Sequence, residues 1–193
     1  MSSAKLRLFI GVSPGRTVLE RVVEGAARLR AECERIGLQV GWTLPGNFHL
    51  TLKFLGETEP EKLGLINEAL RSLCGEFPEF ELRLAGVGAF PGEDCARVIW
   101  VGADDGGKLQ QLAKAVESEM EKLGFAPEDR AYSAHLTIGK IRRAARIGDL
   151  LSCYKQSEFG ASLIREAILY ESIPRPGGSC YIVRAKFPFK TNG

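Results

Sequence analysis

Two short stretches decide how this chain is read, "FHLTLKF" at residues 48–54 and "AHLTIGK" at residues 134–140. The chain contains only two histidines, His49 and His135, and each is followed by Leu, Thr and an aliphatic residue. Both stretches mix apolar and β-branched residues at alternating positions, the pattern of a strand with one face in a core. Side chains on a strand alternate between faces. Strict alternation therefore predicts Phe48, Leu50, Leu52 and Phe54 on one face, with His49, Thr51 and Lys53 on the other. In the second copy Ala134, Leu136 and Ile138 oppose His135 and Thr137. Because the copies fall in different halves of the chain, the repeat predicts a two-lobed protein with approximate internal symmetry, its two imidazoles and two hydroxyls converging in one cleft.

Outward from the motifs, "KLRLFIGV" (5–12) reads as a strand and "TVLERVVEGAARLRAECERIG" (17–37) as a helix. Val18, Leu19, Val22, Val23, Ala26 and Leu29 form the apolar stripe of that helix, and Gly37 is its stop. "QVGWT" (39–43), "ELRLAGVGAF" (81–90), "RVIWVGA" (97–103), "EAILYES" (166–172) and "CYIVRAKF" (180–187) read as strands, the last two joined by the turn "IPRPGGS" (173–179). Helices are expected over 59–74 and 106–124, the second with Leu109, Leu112, Ala113, Val116, Met120 and Leu123 on one stripe. Strand, helix, several strands, helix, several strands is the order of an α+β fold with antiparallel sheets. No stretch has linker composition, so residues 1–193 are expected to form one bilobal domain.

Composition narrows the function. The chain is 45% hydrophobic with a net charge of +2, so a polyanion would have to be gripped locally rather than by the whole surface. The five cysteines are scattered without a C-x-x-C pair, which fits reduced thiols and a cytoplasmic location. "RLFIGV" (7–12) is far shorter than the roughly 20 apolar residues of a membrane span, and no membrane association is expected. Two histidines fall short of the three or four ligands of a zinc site, and neither G-x-S-x-G, G-x-G-x-x-G nor a Walker pattern occurs. Neither a metal nor a cofactor is expected.

Two histidines with two threonines suit a phosphodiester. A neutral imidazole takes the proton of the incoming oxygen and an imidazolium supplies one to the departing oxygen, both near their ordinary pKa. The two hydroxyls hold the non-bridging oxygens as charge builds. His49 and His135 are thus the candidate catalytic residues, with Thr51 and Thr137 as phosphate-binding residues. The basic stretch "KIRRAAR" (140–146) reads either as a contact for an RNA backbone or as a solvated face. Phe48 and Trp42 are candidate stacking surfaces for a base, and Trp100 is expected in the core.

Taken together, "LRLFIGV" (6–12), "NFHLTLKFLGE" (47–57), "ARVIWVG" (96–102), "HLTIGK" (135–140) and "LYES" (169–172) resemble the RNA 2′,3′-cyclic 3′-phosphodiesterase (2′-5′ RNA ligase) family of the two-histidine (2H) phosphoesterases, along nearly the whole chain. The resemblance implies a bilobal α+β fold with an antiparallel sheet in each lobe and the active site between them. It implies metal-independent opening of a 2′,3′-cyclic phosphate at an RNA end, tRNA fragments included, to a 2′-phosphate, with reversible 2′-5′ ligation in some members. A monomer is expected. By analogy His135 is the base and His49 the acid. The family commonly has Pro before the second His and Arg five residues after it, where this chain has Ala134 and Lys140; Lys140, with Phe48, is the expected substrate-binding residue, keeping the charge without the planar guanidinium. A binding module without turnover and a 2H phosphodiesterase acting on other cyclic nucleotides or 2′-5′ oligonucleotides are the rival readings.

Overall fold

The computed structural model describes residues 4–176 and 178–191. In chain order the elements are β1 (Leu6–Val12), α1 (Arg16–Arg35), β2 (Val40–Trp42), β3 (Leu50–Thr58), α2 (Leu63–Glu76), β4 (Phe80–Phe90) and β5 (Ala96–Asp104). They continue with α3 (Lys108–Lys122), β6 (His135–Ala145), α4 (Gly148–Ser152), β7 (Glu158–Ile164), β8 (Glu166–Arg175) and β9 (Gly178–Pro188). Among the described residues the long strands make two antiparallel sheets, one in the order β3-β1-β8-β9 and the other β2-β6-β5-β4-β7. This is the α+β class expected from the element order.

Hydrophobic spacing explains the helices. On α1, Val18, Val22, Leu29 and Cys33 are buried while Leu19, Val23 and Ala26 pack at the margin. Burying a side chain of this size stabilises the fold by about 1.5–3 kcal/mol, which outweighs the modest intrinsic propensity of a valine-rich helix. Gly37 ends α1 as expected: its φ of 72° is left-handed, and the reversal lets the Leu38 N–H donate to the Cys33 carbonyl at 2.8 Å. On α3 the stripe Leu109, Leu112, Ala113, Val116 and Met120 is buried as expected. Most predicted strands stand within a residue or two of their expected bounds. Strand β7 is not expected from the sequence, because Gly160 interrupts the alternation with a φ of 101°, and most of "KIRRAAR" (140–146) belongs to strand β6. Gly177, in the predicted "IPRPGGS" turn, lies outside the described residues.

The two lobes are not the two halves of the chain. The first sheet takes β1 and β3 from the start and β8 and β9 from the end, and α2 and α3 pack on it through β9 and β3. Helix α1 crosses over to pack on β7 of the second sheet. A continuous hydrophobic cluster joins residues of both sheets, from Ile10 and Leu50 to Ile99 and Leu136.

A shared irregularity sets the direction of the motif side chains. In β3, Gly11 faces Thr51 but Ile10 faces Lys53, leaving Leu52 as an extra residue. In β6, Trp100 faces Thr137 but Ile99 faces Gly139, leaving Ile138 extra. Each motif therefore carries a β-bulge at its fourth residue, and the side chains that follow, up to the next irregularity in each strand, change face relative to strict alternation. Leu52 and Ile138 are both buried. This corrects the expected facing: Lys53 turns into the protein and is 1% exposed, whereas Phe54 turns out beside the motif and is 62% exposed.

Candidate active site

Each histidine is built from its own turn. The segment "LPGN" (44–47) closes with the Asn47 N–H on the Leu44 carbonyl at 2.8 Å, and His49 follows immediately before β3 begins. The Asn47 side-chain amide donates to the Ser179 carbonyl of β9 at 2.6 Å, tying this turn to the first sheet. His49 Nδ1 lies 2.7 Å from the Asn47 carbonyl and His135 Nδ1 lies 2.7 Å from the Ser133 carbonyl. A carbonyl only accepts, so in both rings Nδ1 carries hydrogen and the neutral tautomer leaves Nε2 as the basic nitrogen. The same backbone device, two residues upstream, thus orients both imidazoles. At His49 the Thr51 hydroxyl reaches Nε2 at 3.0 Å and donates to it when the ring is neutral.

The surroundings of the two rings differ. His49 packs against Phe9 (4.8 Å between centroids), Tyr181 (5.2 Å) and Tyr170 (5.8 Å) on the first sheet. Burial lowers its pKa below 6.5; the Asn47 carbonyl opposes that, and the nearby positive charges of His135 and Lys140 lower it further. Burial pushes the Tyr170 phenol up to about 12, so it stays neutral beside the ring. His135 stands edge-on to Phe90 with centroids 4.9 Å apart. Glycines allow close strand approach beside the motifs: a Cβ at Gly11 would meet the Leu50 carbonyl at 2.7 Å and the His49 ring at 3.4 Å, and one at Gly102, paired with His135, would meet the Ala85 carbonyl at 2.6 Å.

Thr51 and His135 line one cavity of about 910 Å³, at the open edge of β3 beside α3. Its wall includes Phe54, Phe90, Arg97, Lys114 and Arg130. Thr137 shares the face of His135, and the bulge at Ile138 returns Lys140 to that same face, where it is exposed. Thr51 thus links His49 to the cavity that His135 lines, with Thr137 and Lys140 on the strand face of His135. Among the described residues no group of three His, Cys, Asp or Glu side chains is placed to hold a metal ion.

Three aromatic expectations need correction. Phe48 is 5% exposed within the hydrophobic cluster, because it occupies the inward side of the turn before β3, and it has no face to offer a base. Trp42 also packs against that cluster, its ring covering the space where a Gly139 Cβ would approach at 3.3 Å. Trp100 does the reverse of what was expected. It shares the face of Thr137 and Gly88, half-buried beside Phe90 at 5.2 Å, with its Nε1 lacking a partner among the described residues. The residues missed from sequence are Asn47, which positions His49, the pair Lys53 and Glu117 described below, and Phe54. Asn47 sits inside the quoted motif stretch, but its role depends on a β9 carbonyl far along the chain.

An antiparallel two-sheet fold carrying one H-x-T-aliphatic motif per sheet, with His135 and the Thr51 that bonds His49 lining a common cavity, has the form of a phosphoesterase of the two-histidine class. The model of the LigT-like phosphoesterases matches residues 16–100, a span that holds the first motif. An Archaeoglobus fulgidus protein named RNA 2′,3′-cyclic phosphodiesterase is 34% identical over 183 residues, covering 91% of this chain and 96% of its own. A Methanocaldococcus jannaschii protein of the same name is 30% identical, over 92% and 98%. A Thermus thermophilus crystal structure superposes with a TM-score of 0.82 at 26% identity, covering 97% of this chain and 100% of the other. E. coli LigT in complex with 3′-AMP shares the fold, with a TM-score of 0.78 at 23% identity over 96% and 98%. The chain belongs to the LigT-like phosphoesterase family. Among the described residues no helix is long and apolar enough to cross a membrane.

Proposed function

We propose that this protein hydrolyses the 2′,3′-cyclic phosphate at an RNA end to a 2′-phosphate, as a single bilobal unit over residues 1–193. The observation that carries the reading is the matched presentation of His49 and His135, each with Nδ1 bonded to the carbonyl two residues upstream. The name borne by relatives that match over nearly their whole length supplies the substrate class.

The roles follow from exposure. An attacking water must reach its base, and His135 faces the open cavity. Its Nε2 takes the proton as the water oxygen bonds to phosphorus. His49 sits against three aromatic rings, shielded from competing water, and suits the leaving group. The P–O3′ bond breaks and O3′ receives the proton held on His49 Nε2. The substrate's negative charge offsets Lys140 and His135, allowing His49 to take up the proton it must deliver. Thr51 and Thr137 hold the non-bridging oxygens, and Lys140 adds positive charge at the same face. The chemistry needs only protein side chains, and the same displacement with an RNA 5′-hydroxyl attacking in place of water, O3′ again leaving, gives 2′-5′ ligation as a side reaction. A monomer acting in the cytoplasm on RNA ends, tRNA fragments among them, completes the reading.

Turnover of adenosine 2′,3′-cyclic phosphate in EDTA, with the product's phosphate position read by phosphorus NMR, tests it. His49→Ala and His135→Ala should each lower kcat by about 10²- to 10⁴-fold, and kcat/KM should trace a bell against pH. Tight binding without product would establish the non-catalytic module instead, and parental rates in both variants would remove the histidines from the chemistry.

A further inference from the structure

Lys53 and Glu117 form an ion pair that the chemistry above does not use. The bulge at Leu52 turns Lys53 inward, where its side chain is fully buried and Nζ meets Glu117 Oε1 of α3 at 2.6 Å. Taking two charges out of water is costly, and an apolar pair of similar volume often serves a core as well or better. Burial alone therefore gives no reason for the charges, whereas the direction of their other bonds does. Lys53 Nζ also donates to the Ala126 carbonyl at 2.8 Å, and Glu117 Oε1 accepts the Glu128 N–H at 3.0 Å. Both bonds end on one segment, which runs from α3 to His135.

That segment has little else to fix it. Residues 125–134 have no regular secondary structure, and 126–131 are exposed. Among the described residues, no backbone–backbone hydrogen bond ties 126–132 to the rest of the protein. Lys62 pins the start, donating to the Leu123 carbonyl at 2.9 Å with its ammonium 4.8 Å from the centre of the Phe125 ring. At the far end Tyr132 and Ala134 pack against the hydrophobic cluster, and the Ser133 carbonyl accepts from His135 Nδ1. Between these ends the hydrogen bonds at Ala126 and Glu128 both come from the buried pair. Lys53 belongs to β3, the strand that also carries Thr51 beside His49, so the pair joins the first motif directly to the approach of the second. The joined segment forms part of the cavity wall through Arg130, Tyr132 and Ser133.

We propose that Lys53 and Glu117 are positioning residues for His135: the pair locks the segment leading into β6 against β3 and so fixes the separation of the two imidazoles. The proposal rests on the two-histidine reading above and adds to it the device that sets its geometry. Proton transfer at both ends of the reacting phosphodiester needs hydrogen-bond reach from each ring, and a misplacement of about 1 Å can cost about 10²-fold in rate. A contact remote from phosphorus can therefore govern turnover while leaving substrate binding nearly alone.

The decisive variant is Lys53→Met/Glu117→Leu, which replaces the charges by apolar groups of similar size and removes both bonds to the segment. Ala126 and Glu128 are exposed, so water takes over their backbone groups and the melting temperature should stay close to the parent's. Turnover of adenosine 2′,3′-cyclic phosphate should nevertheless show kcat lowered by about 10- to 100-fold, with KM within about three-fold. Nitrogen NMR should show His135 losing its fixed Nδ1–H tautomer while His49 keeps its own. Val22→Ala, buried on α1 away from the cavity, should lower the melting temperature and leave kcat within about two-fold. Parental kcat in the double variant would overturn the proposal, as would an equal change in both rings. If the parent itself turns over no cyclic phosphate, the two-histidine reading fails and the NMR comparison decides alone: a His135 tautomer unmoved in the double variant ends the positioning role. Should the double variant not fold, hydrogen exchange on the parent takes its place. The Glu128 amide should exchange at least about ten-fold more slowly than those of Asp129 and Arg130, and equal rates would refute the clamp.

Discussion

Replacing Glu117 by Gln should be among the most damaging single changes outside the histidine pair, and the reason can be worked from the surroundings of Lys53. The bulge at Leu52 turns Lys53 into the protein, where its ammonium is fully buried and meets Glu117 Oε1 at 2.6 Å and the Ala126 carbonyl at 2.8 Å. Glu117 also accepts the Glu128 N–H at 3.0 Å, and its side chain is 21% exposed. Glu117→Gln leaves the ammonium with two neutral acceptors, the Gln amide oxygen and the Ala126 carbonyl, and no counter-charge, and breaking a buried pair from one side costs about 3–5 kcal/mol. At about 2–4 °C per kcal/mol for a chain of this size, the melting temperature should drop by roughly 6–20 °C. Lys53→Met should cost less, about 1–3 kcal/mol, because Glu117 reaches water and keeps its backbone donor. The double variant Lys53→Met/Glu117→Leu should recover to within about 1 kcal/mol of the parent, since an apolar pair of similar volume carries no desolvation cost. Urea denaturation of the parent, Lys53→Met, Glu117→Leu and the double variant closes the cycle. The reasoning fails if Glu117→Gln costs under about 1 kcal/mol, which is the behaviour of a water-screened pair, or if the two single effects simply add. Because Lys53 holds the Ala126 carbonyl on the segment that leads to His135, Lys53→Met should also lower kcat more than it raises KM.

Other outcomes follow from the same structure. Lys140→Gln removes a positive neighbour from His49 and should raise its pKa while leaving it below 6.5, since burial is the larger cause; an NMR titration of the His49 ring that stays put or moves down would contradict this. The depressed pKa of His49 also makes stability pH-dependent. The unfolded ring binds its proton more readily, so the contribution is complete above pH 6.5 and is lost as pH falls from there through the folded value. His49→Gln should flatten that part of the denaturation profile. Asn47→Ala breaks the bond to the Ser179 carbonyl and should lower kcat at nearly constant KM, with His49 losing its fixed tautomer signature in nitrogen NMR.

The strand and helix pattern was legible because apolar spacing is local: α1, α3 and most strands announce their buried faces within a few residues. The histidine and threonine pairs were legible because the motif repeats. What failed were inferences requiring knowledge of the partner strand. Lys53 and Phe54 were assigned to the wrong faces because a bulge is a property of two paired strands, and neither "HLTL" nor "HLTI" encodes its register alone. Phe48, buried, and Trp100, half-buried, depart from expectation for a related reason. An aromatic residue beside a strand reveals nothing of which sheet face is open, and the open face is fixed by the glycines opposite, Gly88 for Trp100. Strand β7 was missed because Gly160 breaks the period on which strand reading depends. The bilobal arrangement was anticipated, while the interleaving of both chain ends in one sheet was not, since strand order is set by long-range pairing.

The bulge in each motif leaves the fourth member of the tetrad, Leu52 in the first, without a partner on the adjoining strand. Trading Leu52 for another aliphatic residue should leave the frame intact. Deleting it would remove the bulge and one buried side chain, while Thr51 would still face Gly11 and Lys53 would still face Ile10. Sequence drift at this spot can therefore proceed by substitution or by loss of the extra residue, with the chemical side of the sheet kept apart from its scaffold in either case.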